Sequence, residues 1–219
     1  MKTKVVLTAL LSLLLTNANA DQHTFKGGVD VKYTSEHHRR GEIVSQDALQ
    51  TTVGVTMGVA GVDVFGDVFS SESLETGSDV LEGTIGTRVD LPGNLDLYTG
   101  LYNSNIDATG TTLEGFVSLK LDVLLQPTVA VYRDVSDDLY TYELQASHGF
   151  DLGTCDLGVA AFVGTTDTTA SDNVTYYATS LTASKSLRDN LDIFTNVAYS
   201  DTDDRDEEFL WGAGLTVRF

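Results

Sequence analysis

Apolar and polar residues alternate along most of this chain, in segments separated by turn-forming or polar stretches. The period of two is that of a β-strand, whose successive side chains point to opposite faces. About 12 such segments follow residue 24, and the pattern therefore predicts an all-β protein. The clearest segment ends the chain, where one apolar face comprises Phe209, Trp211, Ala213, Leu215, Val217 and Phe219.

The distribution of aromatic residues favours a closed membrane barrel over a soluble β-sandwich. Aromatic side chains on the apolar faces fall into two groups, one at each end of the strands, as at the two interfaces of a membrane. Breaks between strands alternate between short turns and longer polar stretches. We therefore expect a closed antiparallel up-and-down transmembrane β-barrel of about 12 strands, with short periplasmic turns and longer outer loops. The aromatic residues are Tyr33, Tyr140, Tyr142, Tyr177, Tyr199, Phe209 and Trp211 at one end, and Phe25, Phe150 and Phe219 at the other.

The first 20 residues have the features of a secretory signal peptide. Lys2 and Lys4 precede an uncharged apolar run that is too short to span a membrane, and Ala18 and Ala20 offer a small-residue cleavage site. We therefore expect residues 1–20 to be cleaved and residues 21–219 to form one barrel domain. The expected location is the outer membrane of a Gram-negative bacterium.

The charge balance and the carboxy terminus indicate the partners. A net charge of −19 makes nucleic acid a poor partner. The expected partners are outer-membrane lipid, lipopolysaccharide and small solutes. The single cysteine, Cys155, allows no internal disulfide. Leu215, Val217 and Phe219 resemble the terminal signal that the barrel-assembly machinery recognises.

The polar strand faces predict a charged lumen in which carboxylates outnumber cations, a balance that favours cations in a conducting pore. Aromatic residues on the same faces could instead fill the narrow lumen: Phe65, Phe69, Tyr98, Tyr102, Phe116, Phe162 and Phe194. The charged residues expected to line a pore are Asp30, Asp63, Asp67, Glu82, Arg88, Asp96, Glu114, Lys120, Glu143, Asp192 and Arg218.

The first polar stretch resembles the first loop of the TorF family of outer-membrane porins. Ser35, Arg40 and Gly41 match that family's motif in spacing, whereas His37, His38 and Arg39 stand where the family usually has aromatic residues. The resemblance implies an outer-membrane barrel, termed a porin by analogy. It names no substrate.

Catalytic and metal sites find little support in the sequence. His148 has Ala146 and Phe150 on its own face, without a nucleophile. His37 and His38 have no recognisable third metal ligand, and a solvated loop is the expectation for them. Residues 201–207 are acidic but lack the Gly and the later Glu of an EF-hand loop. We therefore predict no catalytic, cofactor-binding or metal-binding residue.

Three functions remain in order of preference. The first is a monomeric porin or narrow channel for passive passage of small, cationic or neutral solutes. The second is a structural or surface-interaction barrel with a filled lumen and acidic outer loops. The third is an outer-membrane hydrolase, which would need a serine–histidine or aspartate–histidine pair at the outer rim.

Overall fold

Twelve antiparallel strands form one closed barrel, which confirms the predicted fold class. The computed structural model describes residues 25–40, 42–107, 109–167, 173–203 and 205–219. The predicted signal peptide and Gly41 lie outside these residues. No helix among the described residues has the length and apolar character needed to cross a membrane. The strands are β1 (Phe25–Arg39), β2 (Glu42–Val59), β3 (Val62–Ser73), β4 (Val80–Leu91), β5 (Leu95–Ile106), β6 (Gly110–Leu121), β7 (Thr128–Asp134), β8 (Tyr140–Asp151), β9 (Asp156–Thr166), β10 (Val174–Arg188), β11 (Leu191–Thr202) and β12 (Arg205–Arg218).

The barrel closes where β1 pairs with β12. Paired residues run from Gly28 opposite Arg218 to Thr34 opposite Gly212. The final residue extends this seam, because Gly27 N donates to Phe219 O at 2.8 Å and Phe219 N donates to Gly27 O at 3.0 Å. Along the wall that the described residues form, each strand is thereby paired with two neighbours and the sheet closes on itself.

The aromatic residues lie on the outer surface in two groups. Tyr33 and Trp211 pack with their ring centroids 5.3 Å apart at one end of the seam, where Trp211 is 52% exposed. Phe25 and Phe219 stack at 6.3 Å at the other end. Exposed apolar side chains cover the wall between the two groups. This is the outer surface of a barrel that is solvated by lipid rather than by water.

Several predicted outer loops are instead extensions of the strands. Residues 34–47 were expected to form a loop, but β1 continues to Arg39 and β2 begins at Glu42. Residues 103–112 and 201–207 are likewise largely strand. Polar residues can pair their backbones across a hairpin without any apolar face, so strand pairing continues beyond the alternating pattern that predicts it.

The turn between β6 and β7 is longer than predicted. The apolar–polar alternation predicts a strand through Val123 and a turn around Gln126 and Pro127, whereas β6 ends at Leu121 and residues 122–127 form the connection. Gln126 N donates to Val123 O at 2.9 Å, and Leu125 adopts a φ of 70°. The hydrogen-bonded turn at these residues therefore ends the strand before the apolar alternation does.

The backbones of β4 and β5 lie too close together to leave room for a side chain at Gly100. The substitution Gly100→Ala should therefore disrupt the pairing of these two strands. The new Cβ would approach the carbonyl oxygen of Ile85 and lie 2.7 Å from Gly86 Cα. Because backbone atoms cannot rotate away, we expect a loss of about 1–3 kcal/mol in the free energy of unfolding. The temperature at which the gel mobility of the folded barrel changes to that of the unfolded chain would report this loss of stability.

Gly149→Ala is the matched control for this substitution. Gly149 also lies within a strand on the lumen-facing side, but a Cβ there would meet no heavy atom within 4 Å. Equal unfolding temperatures for the two variants would contradict the proposed close approach of β4 and β5.

Candidate functional site: a charged constriction inside the barrel

The tip of the β1–β2 hairpin leaves the barrel wall and enters the lumen. β1 stays paired with β2 as far as Arg39, but its pairing with β12 ends at Thr34. A register shift between His37 and His38 lies in this separated part. Arg40, in the turn, has a φ of 48°, the left-handed conformation that tight two-residue hairpin turns require. The hairpin thus ends in a compact turn that presents Arg39 and Arg40.

Arg40 bridges the lumen to the opposite wall. Its Nη1 donates to Glu114 Oε1 at 2.5 Å and its Nη2 donates to Glu114 Oε2, so β1 and β6 are joined by a bidentate ion pair. The Arg40 guanidinium also lies 5.2 Å from the ring centroid of Tyr132. Only 3% of Glu114 is exposed. Paired planar groups of this kind hold position and orientation together.

Electrostatics keeps Arg40 charged in this setting. Burial lowers the pKa of Arg40, but the hydrogen bonds and the negative charge of Glu114 act in the opposite sense and prevail. The pKa of Arg40 therefore lies above its ordinary value.

Arg39 forms a second bridge beside the first. Its Nε lies 3.2 Å from Glu82 Oε1 on β4 and donates to the Tyr102 hydroxyl on β5 at 3.3 Å. Tyr102 in turn donates to Glu82, and Ser104 Oγ donates to the same carboxylate at 3.3 Å. The two arginines of this hairpin therefore contact four consecutive strands of the wall, β4 to β7.

A cavity of about 290 Å³, lined by aromatic, polar and charged side chains, lies next to the Arg40 bridge. Its wall includes Tyr132 and Glu143, and Glu143 accepts a hydrogen bond of 2.7 Å from the buried Tyr176 hydroxyl. Lys120, one of the predicted pore residues, also lines this cavity. The hairpin therefore narrows the lumen without filling it.

A second group of ion pairs lies nearer the other end of the barrel. Arg88 contacts Asp96 at 3.1 Å, Asp90 at 3.0 Å and Asp63 at 3.8 Å. Arg218 pairs with the buried carboxylate of Asp192. Many of the carboxylates predicted to line a pore therefore already have cationic partners.

The remaining predicted residues have less prominent positions. Asp30 accepts a hydrogen bond from the Thr216 hydroxyl across the closing seam. Asp67 lies opposite Gly54 in the β2–β3 pairing. Ser35 accepts a hydrogen bond of 3.1 Å from Trp211 N. Of the first-loop motif, Arg40 is the residue that the structure brings to the constriction.

The expectation of a solvated first loop was wrong. His37 is only 8% exposed, and its ring packs 5.2 Å from that of Phe69. The hairpin leans into the barrel, so both of its faces are covered. Sequence reasoning therefore missed Arg39, Tyr132 and Tyr176 as site residues. A tandem of arginines in a chain with few cations was the one signal that could have singled out this turn.

Comparison with known proteins shows the fold but no family. No family model and no curated protein sequence matches the chain. Among solved structures, the NanC porin matches with a TM-score of 0.57 at 13% identity, covering 87% of this chain and 98% of that one. The KdgM porin, crystallised with disordered oligogalacturonate, gives 0.58 at 9% identity, covering 89% and 99%. An outer-membrane channel from Pseudomonas putida F1 gives 0.52 at 12% identity, covering 89% and 95%.

The chain has the barrel fold of outer-membrane porins. These three neighbours are similar in nearly their whole length, so the strand number and closure correspond. At such low identity the likeness establishes the fold alone. What passes through this barrel must be argued from its own residues.

Removing the Arg40 charge should destabilise the barrel, because Glu114 would remain buried without its cation. For Arg40→Gln we expect a loss of about 3–5 kcal/mol in the free energy of unfolding. The double variant Arg40→Gln/Glu114→Gln should recover most of that loss, since no charge stays unpaired. Urea unfolding followed by the fluorescence of Trp211, the only tryptophan, would measure both.

Arg133→Gln serves as the control for the loss of an arginine. Arg133 pairs with Asp138 at 2.6 Å, but the two side chains are 60% and 70% exposed. Surface pairs contribute little to stability, so its unfolding curve should match that of the natural protein. Equal curves for Arg40→Gln and Arg133→Gln would contradict the buried bridge.

Proposed function

We propose that this protein is an outer-membrane channel for the passive passage of small solutes, constricted by its own β1–β2 hairpin. The main supporting observation is the Arg40–Glu114 bridge beside a lumenal cavity of about 290 Å³ that the hairpin leaves open. The porin-like fold and the two aromatic belts on an apolar outer wall support a location in the outer membrane. Export through a cleaved signal peptide at residues 1–20 is part of this proposal.

The charge of the constriction argues for small cationic or neutral solutes. Arg39 and Arg40 offset Glu82 and Glu114, so the cation preference expected from the sequence is moderated. Glu143 accepts a hydrogen bond of 2.7 Å from the Tyr176 hydroxyl, and its negative charge is only partly offset by the more distant Arg40. Charged side chains at the narrowest part of a pore set its ion preference. A weak preference for cations follows.

The surroundings of the barrel complete the proposal. The apolar belt fits outer-membrane lipid, and the acidic outer rim fits divalent ions that bridge it to lipopolysaccharide. The carboxy-terminal strand with Leu215, Val217 and Phe219 is proposed as the signal for the barrel-assembly machinery. Membership of the TorF family is proposed on Ser35, Arg40 and Gly41.

A filled structural barrel is the second candidate, and specific contacts favour it. Inward aromatic rings pack against each other, with centroids 5.8 Å apart for Phe116 and Tyr132 and 5.9 Å apart for Phe162 and Tyr176. If these rings and the two arginine bridges exclude solutes, the barrel conducts nothing. Conductance therefore separates the two candidates.

Planar-bilayer recording of the folded mature chain in a potassium chloride gradient tests the proposal. We expect small discrete steps with a reversal potential that favours potassium. Arg40→Gln/Glu114→Gln opens the constriction without leaving a charge unpaired, so its unit conductance should rise about twofold. Arg39→Gln/Arg40→Gln leaves the carboxylates uncompensated and should shift the reversal potential further towards potassium.

Arg133→Gln is the control here as well, because the residue lies on the exposed rim, and it should conduct like the natural protein. A silent barrel that shows the heat-dependent mobility of a folded protein, with the double variant also silent, would refute the channel. That outcome would leave the filled structural barrel as the function.

A further inference from the structure

A histidine and two glutamates converge at the point where β1 leaves β12. Pairing between these strands ends at Thr34 and Gly212, and the inward hairpin departs from there. Glu36 and His38 belong to the departing hairpin, whereas Glu208 belongs to β12, which stays in the wall. The cluster therefore connects the hairpin, at the point where it separates from the wall, to strand β12 of the wall.

The geometry of the cluster is close to that of a metal site. His38 Nε2 lies 2.8 Å from Glu36 Oε2 and 3.1 Å from Glu208 Oε2. One ligand atom from each residue lies within 4.8 Å of the other two. Ligands about 2.0–2.1 Å from a tetrahedral zinc ion are themselves about 3.3 Å apart, so small side-chain rotations would suffice.

The three ligand atoms are arranged as a bound cation would hold them, because two carboxylate oxygens from different strands approach the same nitrogen of His38. A cation placed among the three atoms would contact all of them directly. The side chains are 13%, 21% and 33% exposed for His38, Glu36 and Glu208, so an ion could enter from the outer rim.

We propose that Glu36, His38 and Glu208 bind one divalent transition-metal ion of the zinc class. One imidazole and two carboxylates suit a borderline cation such as Zn²⁺ better than Mg²⁺ or Ca²⁺, which prefer oxygen ligands alone. Three protein ligands leave a fourth position for water. The ion would fasten the hairpin that carries Arg39 and Arg40 to β12. Its effect on conductance, but not its binding, rests on the proposed channel function.

Calorimetric titration of the folded mature barrel with zinc chloride tests the site, with excess magnesium chloride present to occupy the exposed acidic groups. We expect one Zn²⁺ per barrel. His38→Gln and Glu208→Gln should each lower the affinity at least about tenfold, as loss of a ligand or its support typically does. Cobalt(II) in place of zinc should give a visible absorption band that both variants lose.

His37→Gln is the matched control, because His37 is adjacent in sequence but packs against Phe69. It should bind zinc as the natural protein does. Heat-dependent gel mobility would verify that every variant is folded. Zinc binding that is absent, or that is equal in His38→Gln and the natural protein, would refute the site. Neither result depends on conductance, so the channel proposal and the metal site fail separately.

Discussion

The antiparallel seam between β1 and β12 is the interaction on which the rest of this structure depends. Without it the sheet would expose two rows of unpaired backbone groups, and each such group costs several kcal/mol in hydrocarbon. Phe219 contributes to the seam with both its backbone N–H and its carbonyl, opposite Gly27. The last residue of the chain is thus a structural element as well as an aromatic side chain at the interface.

The end of the β1–β12 pairing at Thr34 also determines the shape of the lumen. From Thr34 onward β1 has a neighbour on one side only, so its hairpin is free to lean inward. The hairpin is then held by ion pairs with the opposite wall. Buried pairs gain little net stability because both charges lose water, but they specify one position strongly. Arg40 and Glu114 are therefore better understood as fixing where the hairpin rests than as holding the barrel together.

The sequence predicted the wall of the barrel but not the hairpin that enters its lumen. Along the strands, the lipid-facing side chains must be apolar, and this requirement leaves a period of two that can be read directly. A polar hairpin inside the lumen pairs its charges with the wall, whereas a polar loop outside the barrel exposes them to water. The amino-acid composition is the same in the two cases, so the sequence pattern does not distinguish them. Arg40 meets a residue 74 positions away in sequence, and no local pattern records such a contact. The two adjacent arginines can be recognised in the sequence, but their partners on the opposite wall cannot.

The strand number explains why so small an insertion can constrict the lumen. Eight strands enclose a space that side chains fill, whereas sixteen or more leave an aqueous channel that only a long folded loop can narrow. Twelve strands give an intermediate width, and the side chains of Arg39, at the end of β1, and of Arg40, in the turn that follows, reach across it. In the proposed channel, selectivity would depend on the few charges at this level rather than on the whole lining. In such a channel, substitutions in one hairpin would change the solute preference, while the lipid-facing pattern that specifies the fold would stay the same.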